Sequence, residues 1–359
     1  MIDNETPQAD QSMSDATPDR NSDNTSDGSS DSTSDNTTDN NKVSQCAELI
    51  SQMKQQISQV LIGQDQVLQQ SLVCLFASGH LLLEGVPGIG KTLLVKALGK
   101  TFGGKFSRIQ FTPDLMPSDV TGHAIYDPKS EQFKMRKGPA FTHLLLADEI
   151  NRAPAKTQSS LLEVMQEQQI TIEGNAYKTE TPFMVMATQN PLEQEGTYPL
   201  PEAELDRFLM KVQVTYPTTE DEVTLVKNVT TGQLNSYRLL SAIKPIAEPA
   251  DIEQCQMAAA NIDVDDSLFD YAVRIVAATR DWSGIRVGAS PRASIALIRC
   301  ARALALIRQQ NFITPDEIKS VAMPVLRHRI QLSAELEIEG VAVDDVIDDI
   351  LSQVDAPRQ

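Results

Sequence analysis

From Val43 onward, apolar residues recur at intervals of three and four, with Cys46, Leu49, Ile50, Met53, Ile57, Val60 and Leu61 on one face, which predicts an amphipathic helix. The pattern then changes. Short apolar runs at Leu81–Leu83, Phe106–Phe111, Leu144–Leu146, Phe183–Ala187 and Phe208–Val214 alternate with amphipathic stretches. Most of these runs are nearly continuously apolar, as parallel strands are when helices cover both faces of their sheet. Two further segments predict β-hairpins. Gln169–Glu173 and Ala176–Glu180 flank Gly174-Asn175, a favoured two-residue turn, and Gly122–Tyr126 pairs with Glu131–Arg136 across Asp127-Pro128. Both should project from the rim of the sheet.

Strand signals stop at Tyr216-Pro217, and helix signals take over. Thr219 with Glu222 fits a capping box, and Ser290-Pro291 supplies an N-cap with a proline at the first helical position. Leu297, Ala301 and Leu304 mark one face of the helix that follows, and Thr314-Pro315-Asp316-Glu317 repeats the start signal with its own capping box. The chain thus divides into a tail at 1–41, an α/β domain at 42–217 and a helical lid domain at 218–359.

The tail changes the charge picture. It holds nine Asp and one Glu against one Arg, hence −9 of the formal −18. Asp recurs every fourth residue from Asp15 to Asp39, but like charges on one helix face, poor helix formers and nothing apolar to bury predict disorder. A solubilising extension is the plain reading and a docking or localisation segment the sharper one. The rest of the chain is also acidic, which argues against a broad nucleic-acid footprint. Cys46, Cys74, Cys255 and Cys300 show no C-x-x-C spacing, which argues against a disulfide framework or zinc site and for a reducing compartment. With neither a leader pattern nor an apolar run of spanning length, a cytoplasmic protein without membrane insertion is expected.

The chemistry begins between the first strand and the next helix. Gly85, Val86, Pro87, Gly88, Ile89, Gly90, Lys91 and Thr92 fit G-x-x-x-x-G-K-[ST], a loop that aims backbone N–H groups and a helix N-terminus at a chain of phosphates. Lys91 supplies a mobile cation for the outer phosphates, and the Thr92 hydroxyl can ligate Mg2+. A nucleoside triphosphate, ATP, is the expected ligand.

His143 to Glu149 reads as an apolar strand ending in two acids. At the C-terminal edge of an open sheet, Asp148 can hold the Mg2+ shell and Glu149 can polarise a water. Asn190 follows the next strand, where it either touches the γ-phosphate and its attacking water or serves as a turn residue before Pro191. Arg207 precedes the fifth strand, too far along the sheet to reach its own nucleotide but placed to reach a neighbour's. Arg292 lies in the first turn of a lid helix. His80, His123, His143 and His328 lie near element ends, no two at ligand spacing, and read as structural or surface residues.

Taken together, Gly85–Thr92, Leu144–Arg152, Ala187–Pro191, Glu195–Pro201, Leu205–Phe208 and Gly288–Ala293 resemble the MoxR family of AAA+ ATPases over roughly Val43 to Gln331. The resemblance implies a parallel-sheet P-loop core with β-hairpin insertions and a C-terminal all-α lid. It also implies a hexameric ring that hydrolyses ATP between subunits and remodels or matures client proteins, typically with a partner bearing a von Willebrand factor A domain. Residue by residue, it makes Gly85–Thr92 the Walker A loop, Asp148 and Glu149 the Walker B pair, Asn190 sensor 1, Arg207 the arginine finger and Arg292 sensor 2. Ile62 and Gly63, with Gln64, resemble the segment that cradles adenine. The acidic tail has no counterpart in the family pattern. Three other readings compete: a magnesium-chelatase-like motor subunit, a nucleic-acid ring motor, for which Lys134, Arg136 and Lys137 speak, and a small-molecule kinase, which leaves Arg207 and Arg292 unexplained.

Overall fold

The computed structural model describes residues 32–86, 88–191, 196–230 and 240–357. Helices α1 (Ser32–Ser58) and α2 (Asp65–Phe76) precede strand β1 (Leu81–Glu84) and helix α3 (Lys91–Thr101). Strand β2 (Phe106–Gln110), helix α4 (Pro117–Thr121), the hairpin β3 (Gly122–Asp127) and β4 (Gln132–Lys137), and strand β5 (Leu144–Asp148) follow. Helix α5 (Ala155–Glu167), the hairpin β6 (Gln169–Ile172) and β7 (Asn175–Lys178), strand β8 (Met184–Gln189), helix α6 (Glu202–Leu205), strand β9 (Met210–Gln213) and helix α7 (Thr219–Thr230) complete the first part.

The five predicted strands form one sheet in the order β2-β5-β8-β1-β9, and every neighbouring pair is parallel. All five therefore end at the same edge, which is where the loops after β1, β5 and β8 meet. The predicted stripe on α1 is the reason that helix packs here: Cys46, Ile50, Met53 and Ile57 are buried.

Both hairpins form two-stranded sheets apart from the central one. The β6–β7 turn, however, is Glu173-Gly174, because Ile172 pairs with Asn175. The register sits one residue before the Gly174-Asn175 turn read from sequence. Both turn residues have positive φ, 48° and 79°, as a two-residue type I′ turn requires, and here Glu173 accepts the left-handed conformation so that glycine occupies the second position.

Helix boundaries differ from expectation in two places. The expected disordered tail lies outside the described residues over 1–31, but from Ser32 the chain is already helical. Once the buried stripe nucleates a helix, upstream turns add at small cost. At α7 the start box is Thr218 with Asp221 rather than Thr219 with Glu222: the Asp221 N–H donates to Thr218 Oγ1 at 3.2 Å, and that hydroxyl donates to the Asp221 carboxylate at 2.8 Å. The caps at Ser290 and Thr314 stand as read.

The lid is not all helical. Among helices Pro249–Ala260, Asp266–Asp281, Pro291–Ile307, Pro315–Leu326, Ala334–Glu339 and Val343–Gln353 it contains an antiparallel pair, β10 (Ile285–Val287) and β11 (Gln331–Leu332). These strands are too short to show a period of two, and they are held by packing of Leu332 and Ile285 on Val346 and Ile350. Apart from that small cluster, the lid shares its core with the α/β domain. One apolar cluster runs from Cys46 and Leu68 through Leu98 and Met186 to Leu297, Leu304 and Ile347.

His80, just before β1, ties three elements together. Its Nδ1 accepts the Val185 N–H of β8 and its Nε2 meets the Met165 carbonyl of α5, each at 3.0 Å. Burial lowers its pKa from 6.5 to about 4. The unfolded imidazole takes its proton near 6.5 and the folded one only near 4, so stability falls as pH drops through that window, by up to roughly 1.4 kcal/mol per pH unit. His80→Gln keeps an acceptor and a donor but cannot titrate. It is expected to lose less stability between pH 7 and pH 5 than the natural chain, as read by urea unfolding; an identical loss would remove His80 from the pH response.

Candidate active site

The loop after β1 is built around backbone. A Cβ on Gly85 would stand 2.4 Å from the Val214 carbonyl oxygen, so only glycine lets the chain leave the sheet there. Gly88 and Gly90 adopt φ of 88° and 89°, and Gly90 is the N-cap of α3, so Lys91 and Thr92 open that helix with their N–H groups directed at the loop. Pro87 lies outside the described residues. Lys91 Nζ folds back to donate to the Gly85 carbonyl, with the Gln189 carbonyl at 3.5 Å. Burial pushes its pKa down, while Asp148, Glu149 and Glu84 act in the opposite direction.

Across the edge, Asp148 ends β5 and Glu149 turns out of it with φ 56°, a left-handed conformation unusual for a residue with a side chain. Thr188 of β8 fixes the pair. Its hydroxyl accepts the Glu149 N–H at 2.8 Å and donates to Asp148 Oδ1 at 2.6 Å. The outer carboxylate oxygens face β2: Arg108 Nη2 donates to Asp148 Oδ2 at 2.6 Å, and Gln110 Nε2 donates to Glu149 Oε2 at 2.7 Å. Arg152 Nε stands 3.2 Å from the same Glu149 oxygen. Thr188, Arg108 and Gln110 were not singled out in the sequence. Arg108 and Gln110 are two apart on a strand whose register sets Gln110 opposite Asp148, and within a run read only as apolar that periodicity is easily missed.

These groups surround one cleft of about 760 Å3. Ile62, Gly88, Ile89, Gly90, Lys91, Thr92, Asp148, Glu149 and Asn190 all line it, joined by Tyr216, Pro217 and Leu225 on the side of α7. Gly63, Gly85 and Val86 shape the backbone beside it without lining it. Gly63 has φ 73° and packs against Pro217 and Asp221.

Arg207 and Arg292 lie elsewhere. They share a second cleft, of about 350 Å3, with Ser78, His80, Asp206 and Arg329. Ser78 and His80 precede β1, whereas the P-loop follows it, so the two clefts sit at opposite ends of a strand about 13 Å long at the usual rise per residue. Neither arginine joins the P-loop cleft of its own chain. The Arg207 guanidinium has no hydrogen-bond or ion-pair partner among the described residues, and Arg292 Nη1 lies 3.8 Å from Asp206.

A parallel sheet of this order, a glycine loop capping a helix, an acidic pair two strands away and a helical lid define a P-loop ATPase of the AAA+ class. Comparison with known proteins agrees. Residues 80–210 match the model of the ATPase family associated with various cellular activities, and residues 277–350 match an AAA lid domain. The chain is 44% identical to Chaperone MoxR1 of Mycobacterium tuberculosis over 84% of its own length and 81% of that protein's. It is also 44% identical to the uncharacterized protein YeaC of Bacillus subtilis over 87% and 96%. A crystal structure of a candidate ATPase from Cytophaga hutchinsonii superposes with a TM-score of 0.83 at 40% identity, covering 90% of this chain and 99% of that one. The chain belongs to the MoxR family of AAA+ ATPases.

Two substitutions separate binding from chemistry in the cleft. Lys91→Ala removes the ammonium folded against the P-loop and should abolish ATP binding, whereas Glu149→Gln keeps the side chain's shape but cannot polarise water, and should bind normally while losing turnover. Titration with a fluorescent ATP analogue reads the difference; equal loss of affinity in both variants would make Glu149 a binding residue.

Proposed function

We propose that the protein is a Mg2+-dependent ATPase that works as a ring and remodels or matures client proteins rather than acting on nucleic acid.

ATP lies in the P-loop cleft, its phosphates against the N–H groups opening α3 and the Lys91 ammonium. The Thr92 hydroxyl and the Asp148 carboxylate face the same cleft and are the hard oxygen donors that Mg2+ takes. Bound there, Mg2+ would neutralise charge on the outer phosphates. Glu149 then takes the proton of the attacking water, and Asn190 orients that water or the γ-phosphate. Ile62 and Gly63 lie where a base would stack against the loop before α2.

One observation carries the assembly: the acids and the arginines occupy opposite ends of β1, so one chain holds two halves of a site that meet only when copies stand face to face. Arg207 is then the arginine finger of the neighbouring nucleotide, with Arg292 beside it as sensor 2, in a closed ring taken to be hexameric. The chaperone named among the relatives supports a protein client, and a partner with a von Willebrand factor A domain follows from the family resemblance. The nucleic-acid reading loses ground at the β3–β4 hairpin, where Lys134 pairs with Asp127 and Lys137 lies over the Phe141 ring at 4.9 Å.

Subunit mixing tests the shared site. Arg207→Ala should bind ATP about normally and lose on the order of a thousandfold or more in turnover. Mixed with Glu149→Gln, it should recover part of the activity, since a subunit that keeps Glu149 can use Arg207 of its neighbour. Rings verified as mixed by mass spectrometry, yet no more active than the separate variants together, would refute action in trans.

A further inference from the structure

Arg329 is a buried cation with every donor used. Its side chain is 3% exposed. Nε donates to Asp206 Oδ1 at 2.7 Å, Nη2 to the carbonyls of Phe208 at 2.7 Å and Asp206 at 3.3 Å, and Nη1 to those of Leu209 at 3.2 Å and Val325. That accounts for all five N–H groups of a guanidinium, and a lysine could satisfy at most three of these acceptors. Burial pushes the pKa of Arg329 down, and its hydrogen bond to Asp206 opposes that.

The acceptors are not scattered. Asp206, Phe208 and Leu209 flank Arg207, so the lid grips the backbone on both sides of this residue while its guanidinium has no partner among the described residues. The other oxygen of Asp206 reaches a second part of the lid: Oδ2 accepts the Ser290 hydroxyl at 2.9 Å. Ser290 is the N-cap of the helix that carries Arg292. One carboxylate thus joins the segment bearing Arg207, the start of the Arg292 helix, and the turn after helix Pro315–Leu326 that bears Arg329.

We propose that Asp206 and Arg329 are positioning residues that couple the helical lid to Arg207 and Arg292 and hold both arginines in the geometry offered to a neighbouring nucleotide. The inference rests on the reading of Arg207 as a residue acting in trans. A buried ion pair that served only to hold the fold together would also lose stability on substitution, so stability alone does not distinguish the two roles. Subunit complementation does.

Asp206→Asn keeps the size of the side chain but removes the charge that Arg329 and Arg292 face. It should bind a fluorescent ATP analogue within about twofold of the natural chain and lose on the order of tenfold to a hundredfold in kcat, the penalty of a misplaced group. Mixed with Glu149→Gln, it should regain activity, because its own P-loop cleft is intact and its neighbour supplies well-placed arginines. Arg207→Ala, mixed with Glu149→Gln in parallel, separates the two ideas. If Arg207→Ala is not rescued in verified mixed rings, action in trans fails, and this inference with it. If Arg207→Ala is rescued while Asp206→Asn either keeps full turnover or is not rescued, the positioning role alone is overturned. Should Asp206→Asn fail to fold, Ser290→Ala, which deletes one donor to Oδ2, is read in the same way with a severalfold loss of kcat expected; unchanged kcat there would overturn the coupling.

Discussion

Parallel pairing of β1 between β8 and β9 is the constraint on which the rest depends. In a parallel sheet every strand points the same way, so residues that follow strands gather at one edge and residues that precede them gather at the other. Asp148 ends a strand, and Lys91, Glu149 and Asn190 follow strands. Asp206 and Arg207 precede one. Sequence order alone therefore sorts the chemistry into two faces, and no loop rearrangement is needed to make the chain bifunctional in this sense.

The polar edge is maintained against local cost. Glu149 in a left-handed conformation is disfavoured by on the order of 1–3 kcal/mol, but the same turn brings its N–H onto Thr188 and its carboxylate onto Gln110. The bond to the carboxylate contributes about 1.5–3 kcal/mol and the neutral one about 0.5–1.5 kcal/mol, enough to offset the strain. Arg108 and Gln110 donate to the outer oxygens of the two carboxylates, one each. Charge repulsion between Asp148 and Glu149 is thus countered by donors supplied from both flanking strands.

How much of this could be read from the sequence follows from what sets each feature. The five strands, the P-loop and the caps at Ser290 and Thr314 are local, written in a few consecutive residues. The hairpin turn moved by one residue because register depends on cross-strand pairing that no dipeptide specifies. The strands β10 and β11 were missed because they are brief and held by residues far along the chain. Thr188, Arg108 and Gln110 escaped for a related reason: each acts across a strand register, and inside an apolar run a polar residue whose partner lies on the neighbouring strand looks like an interruption. Arg329 carries no signal in the sequence, since only the fold reveals that its five donors converge on the segment around Arg207.

The continuous apolar core gives these two faces a fixed relation. Helix Pro291–Ile307 buries Leu297, Ala301 and Leu304 in the same cluster as Leu68 and Leu72 of α2 and Ile50 of α1, and Arg299 donates to the Ser78 carbonyl at 2.9 Å just before β1. Interiors packed this closely deform little. The packing that sets β1, and through it the P-loop, is therefore also the packing that sets the base of the helix carrying Arg292. A shared site between copies requires each chain to present its acids and its arginines at one repeatable spacing, and a lid built into the core, rather than hinged on it, supplies that spacing from within a single subunit.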